Sequence, residues 1–546
     1  MEAPTSLTQL LMLLHNLVRT QKNLPQELAP GVAGSNSPLP QHDIPGLPIA
    51  SSSLSEQPLA LKSALSPNYY GFVTGGSTPA ALLADWLVSL YDQNVQVHLP
   101  RETISTTVEV AALNQLVDLF RLPRETWGVG SSSSHGGGTF TTGATASNIL
   151  GLALGREWVI QQHANDINVS VGNLGLIDAM RYAGLYSLRV LTTLPHSSIA
   201  KAASVVGIGR CQVTSVIKEG TDLDIDLDAV ERYASEPGTG CILVISAGEV
   251  NTGRFATLGS QEGGNQPPVW QQLGEICDRY NVWVHVDGAF GLFGRALLPD
   301  PSSARQNGDG NAGADTDYSH ILNGVTGLEH LADSVTGDAH KLLNVPYDCG
   351  FFFTRHKDLS EQVFVNGGAA YLAAPASAPA AESLDVSEEE GGRGGGAEGG
   401  FRVGDAIQSP LNIGLENSRR FRALPVHATL IAYGREGYVG MLRRQIGLAR
   451  HIVRFLWNHP DYDVLPQDAK MEDEAVMRTF IIVLFRAKDE KVNEVLVERI
   501  NASGKIYVSG TRWKGEKAAR IAVSSWMADV EQDGKLVEGV LGEVVK

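Results

Sequence analysis

From about residue 66 to residue 355, short apolar runs alternate with stretches of helical periodicity, and this alternation limits the chain to few folds. A strand followed by a helix and another strand returns to the same sheet by a crossover, so the sheet is parallel or mostly so. The clearest strands are 241–246, 282–287 and 350–354, while 145–162 and 269–280 read as helices. The signature is α/β. Beyond Arg402 the rhythm changes. A helical region reaches Trp457, and strand-like segments at 478–485, 505–509 and 519–524 follow, which is simplest as a small C-terminal α+β domain. Trp270, Trp283, Trp457 and Phe480 sit in periodic apolar contexts and read as core.

A length of 546 residues is enough for two or three packed regions. We divide it into an N-terminal helix and wrapping arm (1–65), a large domain (66–400) and a small domain (401–546). In the first region Leu7, Leu10, Leu11, Leu14 and Leu17 share one helical face that must be buried against this chain or a second copy, and 24–60 is rich in Pro, Ser and Gly. Gln9, His15 and Asn16 interrupt the apolar stretch and Glu2 stands where a signal peptide carries positive charge; no run reaches the roughly 18 apolar residues of a membrane span. Two segments of the large domain, 301–316 and 373–400, have almost no large apolar side chains and read as surface insertions. The net charge of −17 repels phosphate backbones and argues against a nucleic-acid binder. Four cysteines without a CxxC pair indicate neither a disulfide framework nor a zinc site, so the expectation is a soluble, cytoplasmic protein.

Chemistry concentrates in a few short elements. DSVTGDAHKLLNVPYDCGFFFTR, 333–355, sets Lys341 between a β-like run and a strand, with few charged neighbours and an apolar continuation of Leu342, Leu343 and Val345. Desolvation there would make the amine a usable nucleophile, although a His-Lys pair by itself is equally at home on a surface. NVWVHVDGAFG, 281–291, puts Asp287 at the C-terminal end of an apolar strand, where open α/β sheets bind ligands. Its carboxylate is either a turn residue or a partner for a protonated cofactor ring nitrogen. TFTTGATASNILGLALGRE, 139–157, is a small-residue loop opening a helix, and its free N–H groups and dipole suit a phosphate as well as they suit an ordinary cap. It has neither the Walker lysine nor GxGxxG, so nucleotide readings lose. In LPHSSIAKAAS, 194–204, His196 can stack on a planar cofactor or cap a helix.

In this order the elements resemble the group II pyridoxal-phosphate-dependent amino-acid decarboxylases, the family of aromatic amino-acid and glutamate decarboxylases. The resemblance covers nearly the whole chain, from YYGFVTGGSTPAALLADWLVSLYDQN (69–94) through NSRRFRALPVHATLIAYGREGY (417–438) to VSGTRWKGEKAARIAVSS (508–525). It implies the fold type I of pyridoxal-phosphate-dependent transferases, with a large, mostly parallel seven-stranded sheet. It also implies a homodimer with shared active sites, acting on an L-amino acid. By the same resemblance Lys341 would form a Schiff base with pyridoxal 5′-phosphate and Asp287 would pair with the pyridine nitrogen. His196 and Ala289 would cover the two ring faces, and Ala144, Thr145 and His340 would hold the phosphate. Asp338 stands where the family often has Asn, and Ser246 would lie beside the Asp287 pair.

Tyr371, in GGAAYLAAP (367–375), matches the tyrosine of the family's catalytic loop, to which the resemblance assigns protonation of Cα. A phenylalanine there would point to aldehyde-forming relatives. The expected reaction is therefore loss of CO2 from an L-amino acid to give the amine. The rivals are an aldehyde synthase, a carbon-carbon lyase, an aminotransferase or a catalytically impaired homologue. The chain departs from the family at Gly288, where Ala is usual, at Leu292, where a second Gly is common, and at Leu342, which replaces an aromatic residue. Arg419, Arg420 and Arg422 either touch a phosphate across a dimer interface, the preferred reading, or pair with acids, and Arg520 reads as structural.

Overall fold

The computed structural model describes residues 64–131, 134–259, 266–299, 316–366 and 407–546. The helix and arm of 1–63, the segments 301–315 and 373–400, and Tyr371 lie outside these residues. The strands are β1 (Tyr69–Tyr70), β2 (Gly137–Thr141), β3 (Ser187–Thr192), β4 (Val213–Ser215), β5 (Thr239–Ser246), β6 (Trp283–Asp287), β7 (Ser334–Asp338), β8 (Gly350–Thr354), β9 (Tyr462–Leu465), β10 (Ile482–Ala487), β11 (Tyr507–Trp513) and β12 (Glu516–Ala522).

Apolar side chains on both faces of β5 leave it no solvent side, and the structure covers both. Cys241, Leu243 and Ile245 enter one core with Val230 and Leu273, whereas Ile242 and Val244 enter another with Leu150, Leu154 and Val159. The seven-stranded sheet runs β2-β8-β7-β6-β5-β3-β4, with β8 antiparallel to both neighbours and the other pairs parallel. This is the mostly parallel sheet that the alternation predicts. Its register sets Ser246 opposite Asp287 and Asp287 opposite Thr336, so β5, β6 and β7 end almost flush.

A five-stranded sheet, β1-β11-β12-β10-β9, forms the second layer system. The expected strand 478–485 begins only at Ile482, because the helix Glu472–Met477 carries on through backbone and side-chain bonds from Arg478 N to Glu474 O and Thr479 Oγ1 to Ala475 O. The expected 505–509 and 519–524 are parts of one longer hairpin, closed by Lys514 and Gly515 at φ 49° and 88°. Two positive φ values in a two-residue loop suit the right-handed twist of the flanking strands. β1 pairs in parallel with β11, and Tyr69 stacks on Tyr507 with centroids 4.9 Å apart.

The two systems share the long helical segment Ala423–Asn458, kinked where Gly434 adopts φ 59°. Val426, Leu442 and Ile446 belong to the core of the large sheet, and Leu448, Ile452 and Leu456 to that of the small one. Trp283 and Phe480 are fully buried as expected, but Trp457 is 36% exposed, because it lies off the stripe that Val453 and Leu456 turn inward.

Candidate active site

The helix Ala144–Ala164 follows β2 directly, with Gly143 as its N-cap and no side chain satisfying the cap. Its first turn faces the flush ends of β6 and β7. Ala144 N donates to Asp338 Oδ1 at 2.6 Å, and Asn148 Nδ2 donates to Asp287 Oδ2 at 2.9 Å. Ala144, Thr145, His196, Ser246, Asp287, Ala289, Asp338, His340 and Lys341 all line one cavity of about 560 Å³. A sequence span of almost two hundred residues is thus gathered at one end of the sheet, at the C-terminal edge where such folds bind ligands. Of the expected site residues, only Tyr371 is outside the described part.

Asp287 is buried and ends β6. Besides the Asn148 bond, its Oδ1 accepts from Ala289 N at 3.3 Å, which keeps the carboxylate from rotating. His196 does both things its context allowed. It caps the helix Ser197–Val205, with Nδ1 accepting from Ser198 N at 3.2 Å, and its exposed ring lines the cavity. Asn148 and Ser198 were missed by the sequence analysis; the one signal was a polar pair, Ser147-Asn148, on the buried side of an otherwise apolar helix.

Lys341, expected to have few charged neighbours, has one in direct contact. Its Nζ lies 2.9 Å from Asp338 Oδ2, and its side chain is 23% exposed. Asp338, at the end of β7, therefore links the helix N-terminus to the lysine through its two oxygens. Beside it, His340 Nδ1 accepts from Cys349 N at 3.1 Å, and the ring packs on Tyr347 at 4.3 Å between centroids. Burial, the largest influence, lowers the His340 pKa and favours the neutral ring.

Two departures from the family compensate each other. A Cβ on Gly288 would meet Leu292 Cβ at 2.6 Å and Thr336 O at 2.8 Å, so the missing methyl at 288 makes room for the fully buried leucine at 292. Arg520 is structural in part, as expected: Nε donates to Val250 O at 2.8 Å and Nη1 to Phe72 O at 2.9 Å. It also lines the cavity, and burial brings its pKa down to about 10. Arg419, Arg420 and Arg422 pair within the chain with Glu109, Asp85 and Asp348 respectively, the second of the two readings their sequence allowed. Among the described residues no group of three or more His, Cys, Asp or Glu is arranged to hold a metal ion, and no helix is long and apolar enough to cross a membrane.

The pyridoxal-dependent decarboxylase conserved domain matches residues 59–385, well over half of the chain. The chain belongs to the pyridoxal-dependent decarboxylases. It is 24% identical over 441 residues to L-2,4-diaminobutyrate decarboxylase of Acinetobacter baumannii, covering 79% of this chain and 71% of that protein. It is also 24% identical over 503 residues to tryptophan decarboxylase 2 of Oryza sativa subsp. japonica, covering 88% and 82%. A phenylacetaldehyde synthase of Arabidopsis thaliana matches at 22% identity over 486 residues, covering 87% of this chain and 81% of that protein. Among solved structures, that of Oryza sativa TDC with PLP and tryptamine superposes with a TM-score of 0.71 at 18% identity, over 100% of this chain and 99% of that one, which shows fold type I. Membership makes this decarboxylase an amino-acid decarboxylase dependent on pyridoxal phosphate. Its residues fit that group. A helix N-terminus, an amine and a buried carboxylate open on one cavity, whose volume lies within the roughly 300–1,000 Å³ usual for cofactor sites.

Proposed function

We propose that the protein converts an L-amino acid to its amine and CO2, with Lys341 carrying the cofactor covalently. The observation behind this reading is the convergence of Lys341, Asp287 and His196 on the cavity at the N-terminus of Ala144–Ala164. Pyridoxal phosphate, when bound, supplies an electron sink for the pair left at Cα as CO2 departs. Asp287 would hold the ring nitrogen protonated, and its fixed carboxylate needs no reorganisation to do so. His196 and Ala289 would bracket the ring, while Ala144, Thr145 and His340 would take the phosphate at the positive end of the helix. Ser246, next to Asp287 in register, would support that end of the ring. Such clamping fixes the scissile bond relative to the ring plane, which is where much of the rate arises. Tyr371 would deliver the proton to Cα.

Purified protein loaded with pyridoxal phosphate should show an absorption band that Lys341→Ala abolishes. A screen of L-amino acids should then yield CO2 with an equimolar amine. An unchanged band in the variant would overturn the lysine assignment. Aldehyde with hydrogen peroxide in place of amine would favour the aldehyde-forming reading, which similarity to a phenylacetaldehyde synthase keeps open. We further propose a cytoplasmic homodimer, checked by light scattering and cell fractionation.

A further inference from the structure

A line of buried polar groups runs beneath the cavity from Trp283 to His196. Trp283 Nε1 lies 3.2 Å from Ser334 Oγ, which lies 2.8 Å from His285 Nδ1. His285 Nε2 lies 2.9 Å from Asn148 Oδ1. Asn148 Nδ2 then reaches both Asp287 Oδ2 at 2.9 Å and Ser198 Oγ at 3.1 Å, and Ser198 Oγ lies 2.8 Å from His196 Nδ1. Trp283, Ser334, His285 and Asn148 are all fully buried, so the bonds among these four do not compete with water.

The ends of this line fix the direction of every bond in it. An indole N–H only donates and a carboxylate only accepts. Asn148 must therefore turn its NH2 toward Asp287, which leaves its oxygen facing His285 and requires the His285 proton on Nε2. His285 Nδ1 is then an acceptor for the Ser334 hydroxyl, whose oxygen in turn accepts from Trp283. Burial agrees, pushing the His285 pKa down to about 3 and keeping the ring neutral. The second N–H of Asn148 donates to Ser198 Oγ, and the Ser198 backbone N–H donates to His196 Nδ1, which makes that nitrogen an acceptor for the Ser198 hydroxyl as well. His196, when neutral, carries its proton on Nε2.

We infer that Asn148, oriented by His285, is a positioning residue that sets Asp287 and His196 together. The inference rests on the proposed roles of those two residues. A donor held against Asp287 Oδ2 fixes the carboxylate in one orientation, the one in which it would meet the cofactor's ring nitrogen. The branch through Ser198 holds the His196 ring in one orientation with a defined tautomer. One amide thereby couples the edge of the cofactor to its face.

The test uses full-length protein loaded with pyridoxal phosphate carrying 15N in the ring, comparing wild type with Asn148→Leu, Ser198→Ala and Asp287→Asn. Leucine keeps the branched shape of asparagine and removes its polar atoms; Asn148→Ala gives the same comparison if the larger leucine fails to fold. The 15N shift should report a protonated ring in wild type and move toward the unprotonated value in the Asn148 variant. Its kcat/KM should fall roughly 10- to 100-fold, mostly in kcat, as for loss of a hydrogen bond to a charged group. Ser198→Ala should leave the ring-nitrogen shift in place, and an equal shift there would refute the branching. A wild-type shift in the Asn148 variants, with a changed shift in Asp287→Asn, would overturn the inference and leave the Asp287 reading intact. If Asp287→Asn also keeps the wild-type shift, the fault lies in the Asp287 reading itself.

Discussion

Gly151 lies one turn beyond Asn148 on the same helix, and replacing it with alanine sets two opposing effects against each other. Alanine is favoured over glycine in a helix interior by about 1 kcal/mol. Here, however, the added Cβ would lie 2.4 Å from Cε1 and Nδ1 of His285 and 2.9 Å from Cγ. The imidazole cannot retreat, because it is fully buried with Nδ1 and Nε2 bonded to Ser334 and Asn148. Either the helix lifts from β6 or one of those bonds breaks. Overpacking costs about 1–3 kcal/mol, and a buried polar group left unpaired costs about as much again. The clash therefore outweighs the propensity gain, and Gly151→Ala should be destabilised by about 1–5 kcal/mol. Gly440→Ala is the matched control, since its nearest neighbour would be Arg444 Nη1 at 3.9 Å. That variant should gain up to about 1 kcal/mol. Guanidinium midpoints of the three proteins, measured with retention of bound cofactor after dilution, decide the matter. If Gly151→Ala matched Gly440→Ala, His285 would not be held as described, and the packing argument would be wrong.

Gly288→Ala and Leu292→Gly should each destabilise, by about 1–3 and 2–5 kcal/mol, and the double variant should recover about 1 kcal/mol of the sum. Additivity within error in chemical denaturation would show that the two sites do not compensate. Thiol labelling of the native protein followed by mass spectrometry should modify exposed Cys211 well before Cys241, Cys277 and Cys349, whose pKa values burial raises, that of Cys241 to about 12. Comparable rates at all four would contradict that burial. Acid should weaken the fold through His285, whose pKa falls from 6.5 to about 3. Between those values the unfolded chain binds a proton that the folded chain refuses, so this stability is complete above pH 6.5 and is lost as pH falls, amounting to about 2 kcal/mol by pH 5. Urea midpoints at pH 7.5 and pH 5 should differ more in wild type than in His285→Gln; equal differences would exclude His285 as the source.

The large sheet was legible because its central strands are apolar on both faces, and β8 and the helix Val269–Tyr280 fall where the pattern placed them. The C-terminal hairpin was only partly legible. Its outer residues, such as Arg512 and Glu516, alternate with solvent and break the apolar run that marks a buried strand. At the site, the expected residues that line the cavity were legible because each stands in a short motif of its own, whereas Asn251 and Tyr347, which also line it, were not. What holds them was not, because Asn148 approaches Asp287 and His285 from across more than a hundred positions, and only the fold brings them together. The contact between Gly288 and Leu292 was likewise hidden: in sequence they are separate departures, and only the fold shows that a Cβ at 288 would strike Leu292. The charged neighbour of Lys341 was three positions away, on the opposite side of a bend into the short helix Ala339–Leu342.

One helix accounts for most of the site's rigidity. Ala144 and Asn148 are four residues apart, about 6 Å along the axis at the standard rise, so the anion-binding end and the support of Asp287 have a spacing set by helix geometry rather than by a loop. Gly151 and Gly155 repeat at the same interval on the face toward β6, where a Cβ would strike His285 at 2.4 Å and Trp283 at 2.7 Å. These glycines let the helix lie close enough for Asn148 to reach Asp287 across the strand ends. Trp283 and His285 alternate along β6, pointing to the helix side, while Asp287 continues the same alternation to the cavity. Among the strands that the helix packs against, β6 thus presents one row whose lower members set the separation at the two glycines and whose last member, Asp287, faces the cavity. A change against that row far from the cofactor, at Gly155 for instance, should alter the ring environment through Asn148 before it alters the phosphate end, since Ala144 is tied separately to Asp338.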